Sequence, residues 1–148
     1  MTQKFFISLA IAGLMGTSAV FAGDTPSADG AKVYFVNLED GATVDGPVFI
    51  QFGASGMGVA PAGTEAENTG HHHLLVNRVP FGEGAEDADM TETGIIADDN
   101  HMHFGKGQTE TTVELGSGTH TLQMVFGDLY HVPHNPPVIS EQITITVN

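Results

Sequence analysis

From residue 31 to the end, apolar positions recur at every second residue in short runs, and no 3.6-residue period competes with them. "AKVYFVN" (31–37) is β-branched and aromatic. "VFIQFGASG" (48–56) alternates, with Val48, Ile50 and Phe52 on one face. "HHHLLVN" (71–77), "HMHF" (101–104) and "TETTVEL" (109–115) read as further strands. "THTLQMVFGD" (119–128) turns Leu122, Met124 and Phe126 to one side, and "SEQITITVN" (140–148) does the same with Ile143, Ile145 and Val147. A period of two is the mark of a β-strand with one face buried. Short strands at intervals of about ten residues, punctuated by turn residues, predict an all-β domain. An immunoglobulin-like Greek-key β-sandwich is the expected architecture, with a jelly roll or small barrel as the alternative.

Two stretches break the pattern. "GMGVAPAGTEAENTG" (56–70) reads as a loop delivering the chain to the triple histidine. Residues 78–100 form a long, acidic, Gly-rich excursion with no calcium-loop spacing, expected as a solvated, flexible loop. The apolar run "FFISLAIAGLMGTSAV", with Lys4 before it and "VFA" before Gly23, has the anatomy of a signal peptide over residues 1–22. A flexible segment (23–30) and a single β-sandwich domain (31–148) are expected to follow. The expected location is the periplasm or the exterior, as a soluble protein with no membrane insertion after cleavage.

Composition narrows the chemistry. Eighteen Asp and Glu face four Lys and Arg. Loss of Lys4 with the leader leaves Lys32, Arg78 and Lys106, and such a surface repels nucleic acid. With no Cys, a metal site must be built from His, carboxylate, Met or backbone oxygen. Eight His are present, and six fall into three pairs with ligand spacing. In a strand, residues i and i+2 share a face about 6.6 Å apart. His71 and His73 therefore share one face, as do His101 and His103. His72 has the parity of Leu74 and Val76 and is assigned to the core. His131 and His134 sit in a loop stiffened by "NPP" (135–137). These six are the expected metal ligands. Gln108, Glu110 and Asp128 are expected behind them, the first two orienting a ring through its other nitrogen and Asp128 supporting the 131–134 loop. Imidazole ligands in an oxidising compartment indicate copper or zinc. Met57 is held open as a thioether ligand, and His120 is read as a strand-start residue bonded to backbone.

The sequence blocks "GATVDGPVFIQFGASGMGVAPAG", "NTGHHHLLVN", "HMHFGKGQTETTVEL", "GTHTLQMVFGD" and "HVPHNPPVISEQITITV" resemble a family of bacterial exported proteins, domain-of-unknown-function family 4399. Members are sometimes mislabelled as rod-shape-determining proteins. The resemblance spans about Ala31 to Val147 and includes all three histidine pairs. It implies a compact β domain behind a signal peptide and carries no activity with it. The segment 78–100 is longer and more acidic than the link associated with the family.

The leading expectation is a periplasmic metal-binding protein that sequesters, delivers or senses copper or zinc. An interaction module that docks a periplasmic protein or glycan through its His-rich end is the alternative. A metalloenzyme ranks last, because no nucleophile motif such as "GxSxG" accompanies the histidines.

Overall fold

A computed structural model describes residues 23–148; the signal peptide expected over 1–22 lies outside the described residues. The chain is all-β, with two sheets in a sandwich-like, half-barrel arrangement. Strands β1 (Lys32–Phe35), β3 (Val48–Ser55) and β7 (Glu110–Val113) form the smaller sheet, in the order β1-β3-β7. The larger sheet runs β2 (Thr43–Val44), β9 (Ile143–Val147), β8 (Gly118–Gly127), β5 (Thr69–Val76), β4 (Gly58–Val59), and β6 (His101–His103) also pairs with β5. The short strands β2 and β4, two residues each, left no alternation to read in the sequence.

The period of two explains what each sheet buries. Val33, Val48, Ile50, Phe52 and Val113 of the smaller sheet meet Leu74, Val76, Leu122, Met124, Phe126, Ile143, Ile145 and Val147 of the larger. A large apolar side chain that is fully buried, as Ile50, Leu74, Leu122, Phe126 and Ile145 are, contributes about 1.5–3 kcal/mol.

Strands β5 and β8, however, are buried on both faces. They pair antiparallel over His71↔Gly127 to Val76↔Leu122, so opposed residues share a face. The face turned away from the sandwich carries His71, His73 and Leu75 beside Gly127, Val125 and Gln123, and all six are buried. Residues 78–100, expected as a solvated, flexible loop, form a third layer here. Phe81, Met90 and Ile95 close over Leu75 and Val125, with Met90 on the helix α1 (Asp87–Thr93). The sequence hid this because the helix has seven residues and one buried apolar side chain, too few to show a helical period. One of the acidic residues is also internal. Asp87 is buried and accepts from the Gly82 (2.8 Å) and Gly84 (2.9 Å) amides, with Arg78 3.6 Å away.

Candidate metal centre

The outer face of the larger sheet ends in a cage of imidazoles. His71 and His73 lie two apart on β5, and His103 on β6 is directly opposite His73. The fourth ring, His131, arrives from the loop that follows β8. One ligand nitrogen from each of the four lies within 4.8 Å of every other. The Nε2 atoms of His71 and His73 are 3.0 Å apart, and His71 Nε2 is 3.0 Å from His131 Nδ1. Four nitrogens held about 2.0–2.1 Å from one ion in tetrahedral geometry stand about 3.3 Å from each other, so the spacing suits a single ion.

The hydrogen-bond arithmetic points the same way. A ring nitrogen offers one N–H or one in-plane lone pair. His71 Nε2 faces two other ring nitrogens and can satisfy one of them through a proton. A cation at the centre takes all the lone pairs at once.

The electrostatics favour neutral, ligand-ready rings. Burial, and then the neighbouring His131, His103 and His72, push His71 down to about 4, with Asp128 opposing. Burial and the surrounding rings take His73 further, to about 2. His103 is lowered by partial burial and by His131. His71 and His73 are fully buried and form the floor, whereas His103 is exposed and His131 half-buried, so the cage opens through those two.

The backbone leaves room for the rings at two glycines, Gly105, where a Cβ would run into the ring of His103, and Gly127. A Cβ at Gly127 would lie 2.8 Å from His73 Nε2 and 3.4 Å from the His131 carbonyl carbon. Glycine is therefore needed opposite His71 for His73 and His131 to converge. His131 itself has φ of 68°, an uncommon backbone for a residue with a side chain. It is fixed by its own amide to Asp128 O (3.0 Å) and by the Ile95 amide to its carbonyl (2.8 Å).

Of the six expected ligands, His71, His73, His103 and His131 come together, and His101 and His134 do not. His101 shares the face of His103 but sits two residues away along β6, opposite Leu75. Its Nδ1 stands 3.4 Å from Arg78 and 3.5 Å from Asp98, away from the centre. His134 lies on the sandwich side of the sheet. Pro133 forms an antiparallel bridge with Gly127, so residue 134 runs back beside Phe126, and the ring stacks on Phe126 at 6.0 Å. Its two nitrogens stand 3.2 Å from Phe126 O and 3.2 Å from Thr69 O.

Gln108 and Glu110 do not back the cage. After β6 the chain crosses to the smaller sheet, where Glu110 pairs with Gln51 and Gln108 closes a turn with the Lys106 amide at 2.8 Å. Asp128 supports the loop: its Oδ1 accepts from the Tyr130 (2.8 Å) and Val132 (2.9 Å) amides. Met57 packs against the inter-sheet core. His120 bonds Gly116 O at 2.7 Å and Asn77 at 3.0 Å. His72 turns into the sandwich, stacked on Phe52 at 5.1 Å and edge-on to Phe126 at 5.0 Å.

A family model described as Domain of unknown function (DUF4399) matches residues 50–148, a span that holds all four cage histidines. No curated protein and no solved structure matches the chain.

Proposed function

The chain belongs to the family described as Domain of unknown function (DUF4399), a description that assigns no activity, and from the site we propose that the protein binds one copper(II) or zinc(II) ion through His71, His73, His103 and His131, and that it holds or hands on the ion rather than catalysing a reaction. The observation that carries this reading is the convergence of four ring nitrogens within 4.8 Å. An all-imidazole donor set suits these borderline ions over calcium or magnesium, which prefer oxygen. Among the described residues Met57, Met102, Met124 and Met90 pack in apolar clusters and the chain has no Cys, so copper(I) is disfavoured.

The chain's residues would divide the work. His71 and His73, immobilised in the sheet, define the position of the ion. His103 and His131 close over it from the solvent side and are the groups that let it in and out. In this reading residues 1–22 direct export and the protein acts in the periplasm, where free metal ions fluctuate and thiolate ligands are easily oxidised.

Calorimetric titration with Cu(II) and with Zn(II) tests the proposal. Wild type should take up one equivalent. His73→Ala should weaken binding by more than about 100-fold, beyond the effect typical of an outer-sphere partner. His101→Ala should bind like wild type. Wild type that takes up neither ion, or binding that survives His73→Ala while His101→Ala abolishes it, removes the proposal.

A further inference from the structure

His131 is the ligand with the least support from regular structure, since it sits in a loop at a positive φ. The chain segment 23–27, before β1 and outside the family span, lies along this loop. Gly23 donates to Pro133 O at 2.7 Å, Asn135 donates to Thr25 O at 2.8 Å, and Ser27 donates to Asn135 O at 3.0 Å. Pro26 and Asn135 form a parallel bridge, and the Ser27 hydroxyl donates to Pro136 O at 2.9 Å. The approach is close: a Cβ on Gly23 would run into Val132 Cγ1 and stand 2.8 Å from Pro133 O.

One contact reaches further. The Thr25 hydroxyl donates to Asp128 Oδ2 at 2.5 Å. The other oxygen of that buried carboxylate accepts the amides on either side of His131, those of Tyr130 and Val132. Thr25 thus fixes the carboxylate that in turn fixes the backbone of a cage ligand.

Resting on the metal-binding reading above, we propose that residues 23–27 are a strap that positions His131, with Thr25 and Gly23 as positioning residues for the metal site. Neither touches the ion. The strap holds the loop against the end of β8 on one side while Ile95 holds the His131 carbonyl on the other. Removing one side frees the loop without disturbing either sheet, because segment 23–27 belongs to neither.

The test compares wild type, Thr25→Val, Thr25→Ser, Gly23→Val and His131→Ala, each expressed as the full chain, with Cu(II) as the probe. Affinity is measured by competition with a chromophoric chelator and the donor set by the electron paramagnetic resonance spectrum. Thr25→Val and Gly23→Val should each weaken Cu(II) by about tenfold and shift the spectrum toward that of His131→Ala, while Thr25→Ser restores wild-type values. Hydrogen exchange of the Val132 amide in metal-free protein should quicken in both variants, with core amides such as that of Met124 unchanged. Wild-type affinity and spectrum in Thr25→Val and Gly23→Val, beside a His131→Ala that is impaired, overturn the strap alone. Wild type that binds no copper overturns the cage reading and the strap's role in it together.

Discussion

At the scale of single residues, the triple histidine divides by strand parity. His71 and His73 turn their Nε2 atoms to a cage in which a cation can satisfy them, while the Nδ1 atom of each is buried without a partner among the described residues. His72 faces Phe52 and Phe126, is fully buried, and has no hydrogen-bond partner for either ring nitrogen among the described residues. A buried polar atom left unpaired costs on the order of 1–3 kcal/mol. His72→Leu removes both atoms and keeps most of the volume, so it should stabilise the metal-free protein by about 1 kcal/mol or more, read as a rise in the midpoint of urea unfolding. Metal affinity should stay within about twofold, because the side chain at this position points away from the cage. A variant less stable than wild type would show that His72 finds a partner and is not an orphan.

Parity was legible because it needs only the sequence. Convergence was not. His101 has the right parity and the wrong rung, and the choice between His131 and His134 depends on where the loop passes the end of β8. Both depend on which strands pair, and a single sequence does not carry that register.

At the scale of elements, the site is a product of the β5–β8 ladder and its neighbours. The sequence pattern located β1, β3, β5, β6, β7, β8 and β9, whose alternation is set by burial. It missed that β5 and β8 are covered on both faces. Four of the six residues on the second face, His71, His73, Gln123 and Gly127, register as polar or neutral positions in a search for alternation, and its two apolar residues, Leu75 and Val125, merge with their neighbours into the runs 74–76 and 124–126. The expected position of Gln108 and Glu110 failed for a related reason, since β7 returns to β3 and not to β6. Gly127 is the residue that makes the ladder compatible with the cage. Gly127→Ala would set a methyl group against His73 and the backbone of His131. A small-to-large change in a packed site costs typically 1–3 kcal/mol. Here most of the displacement should fall on the cage, so Zn(II) affinity should drop by roughly tenfold or more while the far-ultraviolet circular dichroism of the sheets is kept. Unchanged affinity would mean the ring of His73 has room to move and that its position is not set by the ladder.

At the scale of the whole molecule, two pH-dependent effects compete, and their pH windows separate them. The chain is strongly acidic, with a formal net charge of −14, so lowering the pH relieves repulsion among its carboxylates. That relief requires protonating Asp and Glu, whose ordinary values lie near 4. The buried histidines act earlier. His71 and His72 are each lowered from 6.5 to about 4, with burial the leading cause in both, and His73 is lowered further. Each is held neutral in the fold and takes up a proton in the unfolded chain below 6.5. Their contribution is complete above that value and is lost as the pH falls through the window from 6.5 toward 4. Each group contributes up to about 1.4 kcal/mol per pH unit in that window. Against a total stability of about 5–15 kcal/mol, three such groups outweigh a diffuse surface repulsion that salt screens. The metal-free protein should therefore lose stability steadily from pH 6.5 to 5, measured as the urea midpoint at each pH. His72→Leu should flatten that slope by one group. Saturating Zn(II) should raise the midpoint at pH 7, by about 2.7 kcal/mol at 100 times the dissociation constant, and the increment should shrink toward pH 5 as protons compete for the cage. A midpoint that rises on acidification would show that carboxylate repulsion, and not the histidine core, governs the stability of this domain.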